Sequence, residues 1–236
     1  MTVKNFLIKL WNANILIRLP KIFFSRLAFN NLKRNSLNKL NIATGPKPLE
    51  GWLNTDINPK CELYLDATRR FPIPSETIDY IFSEHFIEHI GLSEQVIFLN
   101  ESYRVLKSGG KIRVTTPSIE KLIDLYLDKS DYIDFNTAFN RHETRFHEDI
   151  KNFYGFFPRD ISGSLFFNDK LRLWGGHVFI HDRKSLENLL KQSGFSDIQE
   201  FNYGQSDDKE LCNLENHAHD CDWMKYAETI TFEATK

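Results

Sequence analysis

Acids and histidines follow several short apolar runs in the first half of the chain. Asp56 and Asp66 each end such a run, and Ser83, Glu84 and His85 end a third. One carboxylate can accept hydrogen bonds from both hydroxyls of a ribose, and a second acid can bind the exocyclic amine of an adenine. An imidazole titrates near neutral pH and suits a general base. Either acid alone is better explained as a turn cap, but the set indicates an adenosine-binding site.

The elements that must position these residues alternate between strand and helix, which is typical of a parallel sheet. We expect strands at 39–43, 52–57, 63–65, 77–83, 111–116, 197–203 and 228–233. We expect helices at 93–107 with Ser93 as N-cap, from 118 to about 128, and at 183–193 with Gly194 closing it. Because ligands bind beyond the carboxyl ends of parallel strands, the candidate residues should meet at one edge of the sheet.

Charge is distributed unevenly along the chain. Residues 1–49 contain nine Lys and Arg and no acid, whereas the remainder holds 21 basic against 32 acidic side chains. An acidic body argues against nucleic acid as the main partner. No segment has the roughly 20 apolar residues that span a bilayer, and three widely spaced cysteines favour a reducing compartment. The sequence therefore predicts a cytoplasmic protein.

Two segments lie outside the strand–helix pattern. Residues 1–36 form a basic amphipathic arm, which Pro20 is expected to divide into two helices. The arm can cover one side of the domain, contact an anionic membrane surface or act as a targeting segment. Residues 130–176 are irregular and rich in Phe, so we expect a lid over an acceptor pocket, inserted in a domain that spans 37–236.

The block His85-Phe-Ile-Glu88-His89 also matches the H-x-x-E-H pattern of a zinc peptidase family. On a helix, His85 and His89 could share one metal ion with Glu88 as base. A third ligand would have to come from a distant segment. The candidates are Glu215, His217 and His219. Zinc hydrolysis is therefore an alternative, although the same block fits a site without a metal.

The segment from LNIATGPKPLEGWLNTDI through SEHFIEHI to LNESYRVLKSGGKIRVTTPS resembles the core of class I, Rossmann-like S-adenosylmethionine-dependent methyltransferases. The resemblance covers residues 39–118 and continues weakly through GHVFIHDRKSLENLLKQSGF. It implies an α/β fold with a mostly parallel seven-stranded sheet, helices on both faces and an antiparallel last strand. It also implies S-adenosylmethionine as cofactor, S-adenosylhomocysteine as product, and no metal.

The resemblance assigns roles to residues of this chain. Ala43, Thr44 and Gly45 would line the methionine end of the cofactor. Asp56 and Ile57 would hold the ribose and pack on the adenine, whose edge Asp66 and Ala67 would recognise. Ser83, Glu84 and His85 would lie near the transferred methyl group.

Two departures accompany the resemblance. Asn41 replaces the acid usual in the first strand, and only Gly45 remains of the glycine-rich turn. Gly45 and Asp56 are also so close in sequence that the first crossover helix must be absent or one turn long. How the cofactor's carboxylate end is bound is therefore an open question.

Methyl transfer from a sulfonium needs a base only for acceptors such as hydroxyls or protonated amines. His85 is the first candidate base and His177 the second. An aromatic lid and a basic arm favour a small-molecule or saccharide hydroxyl as acceptor. The alternative, a catalytically silent subunit that binds S-adenosylmethionine, is motivated by Asn41 and the reduced glycine turn.

Overall fold

The computed structural model describes residues 15–58, 60–127, 171, 176–216 and 228–236. The helices are α1 (Ile15–Asn30), α2 (Leu92–Val105), α3 (Ile119–Leu127) and α4 (Arg183–Gln192). The strands are β1 (Lys39–Ile42), β2 (Leu53–Asp56), β3 (Leu63–Tyr64), β4 (Ile78–Glu84), β5 (Leu106–Pro117), β6 (Ser196–Phe201) and β7 (Thr229–Thr235). Most of the predicted 130–176 lid and the first part of the predicted arm lie outside the described residues.

The strands form one sheet in the order β3-β2-β1-β4-β5-β7-β6. β1 pairs in parallel with β2 and β4, and β4 pairs in parallel with β5, whereas β7 is antiparallel to both β5 and β6. The predicted Rossmann-like α/β fold with an antiparallel last strand is confirmed. Residues 43–52 contain turns but no helix, as the short spacing between Gly45 and Asp56 predicted.

One face of the sheet is apolar and carries the main core. Leu40, Ile81 and Ile112 lie in register on adjacent strands and are fully buried. Helices cover this face with the buried side chains Phe29 of α1, Phe98 and Leu99 of α2, and Leu186 and Leu190 of α4. Burial of this apolar area is the main driving force for the fold.

The opposite face of the sheet is charged. Lys39, Lys111 and Arg113 belong to it, because they alternate with the apolar residues along β1 and β5. Among the described residues, the segment 202–216 pairs with them: Glu210 lies 3.0 Å from Lys39, Asp208 lies 2.9 Å from Lys111, and Glu215 contacts Arg113. Leu211 and Leu214 of the same segment pack with Trp52 and Phe82.

Two local predictions about helices were wrong. Pro20 lies inside α1 and does not divide it. A proline removes only one backbone donor, and the later turns of α1 pack on the sheet through Ser25 and Phe29. The N-cap of α2 is Gly91, not Ser93, because Glu94 accepts a 2.9 Å hydrogen bond from the Gly91 N–H and starts the helix earlier.

Helix α1 exposes a row of large apolar side chains. Leu19, Phe23, Phe24 and Leu27 are each 43–64 % exposed. An exposed apolar row within an acid-free basic segment is typical of a helix that lies on an anionic membrane surface. No described helix has the length and apolar character to cross a membrane. Surface contact through residues 1–36 therefore stays a prediction, which cosedimentation with anionic and neutral vesicles would test.

Candidate functional site

A cavity of about 220 Å³ lies where β1 and β4 end. Its walls include five residues that the sequence predicted for the cofactor, namely Ala43, Thr44, Gly45, Glu84 and His85. The other lining residues are Asn41, Pro46, Lys47, Leu49, Phe82 and Asn216. The cavity thus occupies the edge of the sheet at which open parallel sheets bind ligands.

Two residues of the cavity wall have a backbone conformation that L-residues rarely adopt. Ala43, the first residue after β1, has φ of 58°, and His85, the first residue after β4, has φ of 48°. Such conformations cost of order 1 kcal/mol and are concentrated at functional sites. Gly45 is also left-handed, with φ of 60°, and a Cβ there would meet nothing within 4 Å. The turn after β1 therefore leaves open space in front of its backbone.

Asp56 lies at the end of β2 beside this turn. Its carboxylate accepts hydrogen bonds from the N–H of Gly45 at 3.0 Å and of Asn58 at 2.8 Å. Each carboxylate oxygen has two acceptor positions, so capacity for a ribose hydroxyl remains. The Leu65 N–H donates to the Asp56 carbonyl at 3.2 Å, which holds the end of β3 against the end of β2. Asp56 thus links the end of β3 to the turn after β1.

Asp66 follows this junction, but its side chain is engaged by its own turn. It accepts hydrogen bonds from the N–H and hydroxyl of Thr68 and lies 3.1 Å from Arg69. Asp56 and Asp66 do not themselves line the cavity, and three other predicted cofactor residues also lie away from its wall. Ile57 is 53 % exposed, Ala67 is buried in the main core, and Ser83 is buried on the side of β4 opposite Phe82 and Glu84.

The sequence analysis missed the far wall of the cavity. The Asn216 N–H donates to the Glu84 carboxylate at 3.0 Å, and the Tyr203 hydroxyl donates to its other oxygen at 3.3 Å. Lys47 Nζ donates to the Asn216 carbonyl at 2.9 Å and closes the rim. Nothing in the local pattern around residue 216 marks it as part of a site, because it reaches the cavity only through the packing of 202–216 on the sheet.

His85 belongs to a buried polar chain behind the cavity. Its Nδ1 lies 3.1 Å from Glu88 Oε1, and the other oxygen of Glu88 accepts from the Thr116 hydroxyl at 2.9 Å. Burial lowers the pKa of His85, but the hydrogen bond and charge of Glu88 outweigh it and raise the pKa above its ordinary value. For Glu88, burial alone would raise the pKa, but the hydrogen bond and charge of His85 outweigh burial, and the pKa of Glu88 lies below its ordinary value. The pair favours an ionised carboxylate that orients the imidazole.

His177, the second candidate base, lies beside Glu88 and His89. Its ring centroid is 4.9 Å from that of His89, in an edge-to-face arrangement. The Glu88 carbonyl accepts hydrogen bonds from the N–H groups of Val178 at 2.7 Å and Phe179 at 3.1 Å. His85 and His177 are therefore brought to the same carboxylate-bearing turn.

The zinc-hydrolase geometry does not form. His85 and His89 do not share an α-helix, because His85 is left-handed and only Ile87–His89 form a single 3-10 turn. Glu215, a proposed third ligand, is instead buried against Arg113. His217 and His219 lie outside the described residues. The described part of the chain thus offers no support for the H-x-x-E-H interpretation.

A second buried histidine holds the 85–90 segment in place. The Gln95 amide donates to the carbonyls of Ile87 and Ile90, so its oxygen faces His181 Nε2 at 2.9 Å. The nitrogen His181 Nδ1 lies 2.9 Å from the Ser185 hydroxyl. Burial lowers the pKa of His181 to about 4, an effect that the nearby Asp182 and Glu88 only partly oppose. His181 is therefore neutral at pH 7.

This lowered pKa predicts an acid-sensitive fold. Between pH 6.5, near the unfolded pKa, and pH 4, the unfolded chain binds more protons at His181 than the folded chain does, so stability falls with falling pH. From about pH 7 to pH 5 we expect His181 to account for a loss of about 2 kcal/mol. Urea denaturation at both pH values measures it. His181→Gln should show a correspondingly flatter pH dependence, and an equal slope in both proteins would contradict the prediction.

Comparisons with known proteins give one family match. Residues 32–114 match a family model described as a methyltransferase domain, which is about a third of the chain. No curated protein matches the chain. The fold, the cavity at the strand ends and this match confirm the predicted resemblance to class I, Rossmann-like S-adenosylmethionine-dependent methyltransferases. The cofactor of this class is S-adenosylmethionine.

Solved structures similar to this chain include further methyltransferases. A Thermotoga maritima protein described as a possible histamine N-methyltransferase is 14 % identical, with 98 % of this chain and 97 % of that chain covered and a TM-score of 0.47. A Mesorhizobium loti S-adenosylmethionine-dependent methyltransferase is 12 % identical, with 89 % and 96 % covered and a TM-score of 0.49. At such values neither structure says anything about the acceptor of this chain.

Proposed function

We propose that this protein transfers the methyl group of S-adenosylmethionine to a hydroxyl oxygen of a small molecule, with a saccharide as the first acceptor to test. The observation that carries the proposal is the position of His85 in the cavity wall at the end of β4, with its Nδ1 bound by the buried Glu88. A histidine oriented by a carboxylate is the usual arrangement for a general base. A weakly acidic hydroxyl is one of the two kinds of acceptor that need a base, and a protonated amine is the other.

The cofactor, when bound, supplies an electrophilic methyl group on a sulfonium. His85 takes the hydroxyl proton at Nε2, because Nδ1 is held by Glu88. The cofactor would supply its methyl group to the acceptor oxygen that His85 deprotonates, and S-adenosylhomocysteine would be the co-product. The chain's main contributions are alignment of the acceptor and exclusion of water.

The cavity offers groups of opposite charge for the amino-acid end of the cofactor. The Glu84 carboxylate is suited to an ammonium, and Lys47 Nζ at the rim is suited to a carboxylate. These side chains are linked through Asn216, which donates to Glu84 and accepts from Lys47. Lys47 would thus bind the carboxylate end of the cofactor in place of the glycine-rich turn, of which only Gly45 remains in this chain.

The test of the cofactor site is a thermal-shift and calorimetric titration with S-adenosylhomocysteine. We expect stabilisation of the wild-type protein and about 10–100-fold weaker binding by Asp56→Ala, because hydrogen bonds from a ribose to a carboxylate contribute about 1.5–3 kcal/mol. Asp79→Asn is a matched control, since this acid lies at the other end of β4 and pairs with Lys107. Equal affinity in Asp56→Ala and Asp79→Asn would count against the proposed ribose contact.

Acceptor specificity is tested separately with a panel of saccharides and other hydroxyl compounds, amines and free carboxylates. Formation of S-adenosylhomocysteine with hydroxyl acceptors supports the proposal. Robust activity on an amine or carboxylate, without activity on hydroxyls, would reject it. Cofactor binding without turnover on any member of the panel would favour the silent cofactor-binding subunit.

A further inference from the structure

The three side chains Glu88, His89 and His177 converge beside the cavity. Each offers one ligand atom, and these atoms all lie within 4.8 Å of one another. His89 Nε2 is 3.9 Å from Glu88 Oε1, and the His89 side chain is 31 % exposed, so the cluster has an open side. Two imidazoles and a carboxylate are a ligand set that first-row transition metals prefer.

The backbone keeps this cluster together. The N–H groups of Val178 and Phe179 both donate to the Glu88 carbonyl, which fixes the chain next to His177 against the turn that bears Glu88 and His89. The carboxylate itself is oriented by His85 and Thr116. Hydrogen-bonded carboxylates of this kind are typical of metal ligands, because outer-shell partners set their orientation.

We propose that Glu88, His89 and His177 bind a divalent transition-metal ion of the Mn²⁺, Co²⁺ and Zn²⁺ group beside the methyl-transfer site. Metal–nitrogen and metal–oxygen bonds near 2.1 Å would bring tetrahedral ligands about 3.4 Å apart. Because the ligand atoms lie within 4.8 Å of one another, they need to approach by up to about 1.4 Å through side-chain rotation. This proposal departs from the expectation, drawn from the sequence, that no metal is required.

Three protein ligands leave coordination positions for an exogenous group. Because Glu88 contacts His85 and His85 lines the cavity, the open positions lie next to the place where an acceptor hydroxyl would react. Here the metal would hold and polarise the acceptor. This role rests on the proposed function, whereas the binding of the metal does not.

Co²⁺ titration of the metal-free protein tests the site, with visible absorption and calorimetry as readouts. We expect one equivalent to bind with d–d bands, and at least tenfold weaker binding by His89→Asn and by His177→Asn. Asp79→Asn is the matched control, because it removes a carboxylate at the other end of β4, where Asp79 pairs with Lys107. Loss of binding in both cluster variants but not in the control supports the proposal. No specific binding, or binding that survives both substitutions, would overturn it.

The proposed metal site and the proposed methyl transfer can be tested independently of each other. Co²⁺ binding requires neither cofactor nor acceptor, and the shift with S-adenosylhomocysteine requires no metal. If methyl transfer is detected, a chelator should lower its rate at least tenfold. Added Mn²⁺, Co²⁺ or Zn²⁺ should restore the rate. Transfer that is insensitive to chelation in a protein shown to be metal-free would reject the catalytic role of the ion, while the cofactor site would stand.

Discussion

His85→Gln is expected to lower kcat for hydroxyl methylation by about 10²–10⁴-fold, the usual contribution of a general base. The glutamine side chain can still occupy the cavity wall and reach Glu88, but it cannot accept the acceptor proton. Formation of S-adenosylhomocysteine under saturating cofactor and acceptor measures the effect. The affinity for S-adenosylhomocysteine should stay within a few-fold of wild type.

The control for His85→Gln is Asp79→Asn. Asp79 lies at the other end of β4, pairs with Lys107 and does not line the cavity. Asp79→Asn should therefore retain turnover. A His85→Gln enzyme with more than a tenth of the wild-type kcat would exclude the base role. Loss of cofactor binding in both His85→Gln and His85→Asn would assign His85 to cofactor binding instead.

Arg113→Met is expected to lower the free energy of unfolding by about 3–5 kcal/mol. Arg113 is fully buried, with Nε 2.7 Å from Glu215, and it also bonds to Glu233 and to the Gln205 carbonyl. Removing the guanidinium leaves two carboxylates buried without their cation, which is far more costly than losing an exposed pair. Urea denaturation of the two proteins measures the difference.

Lys111→Met is the matched control, because Lys111 lies two residues away on the same face of β5 and pairs with Asp208 in partly exposed surroundings. It should cost about 1 kcal/mol or less. Adding Glu215→Gln and Glu233→Gln to Arg113→Met should recover part of the lost stability, since the uncompensated charges are then removed. An Arg113→Met protein within about 1 kcal/mol of wild type would refute the charge argument.

Arg113 also connects stability to the site. Glu215, which it holds, precedes Asn216, whose N–H donates to Glu84 in the cavity wall. We therefore expect the stability loss in Arg113→Met to be accompanied by weaker binding of S-adenosylhomocysteine. The charged face of the sheet thus positions one wall of the cavity, whereas the apolar face supplies the core.

The strand ends were predictable because the pattern there is local. Short apolar runs alternate with helical segments, and the carboxyl ends of parallel strands must meet at one edge. From this pattern we predicted that Gly45, Asp56, Glu84 and His85 lie near one another. In the structure the Gly45 N–H donates to the Asp56 carboxylate, and Glu84 and His85 line the same cavity as Gly45. It could not foresee that the Ser83 side chain would be buried on the other side of β4, because a change of one residue along a strand reverses the side-chain direction.

The sequence by itself determined the class of fold, the positions of Asp56 and Asp66 at or just after the ends of β2 and β3, and the absence of a first crossover helix, since these follow from residue types at short separations. Only the tertiary structure decided that Asn216 and Lys47 complete the cavity, that Glu88 orients His85, and that His177 meets His89. These contacts join residues up to 169 positions apart. Packing of the whole sheet determines such distances, and no local pattern of side chains encodes them.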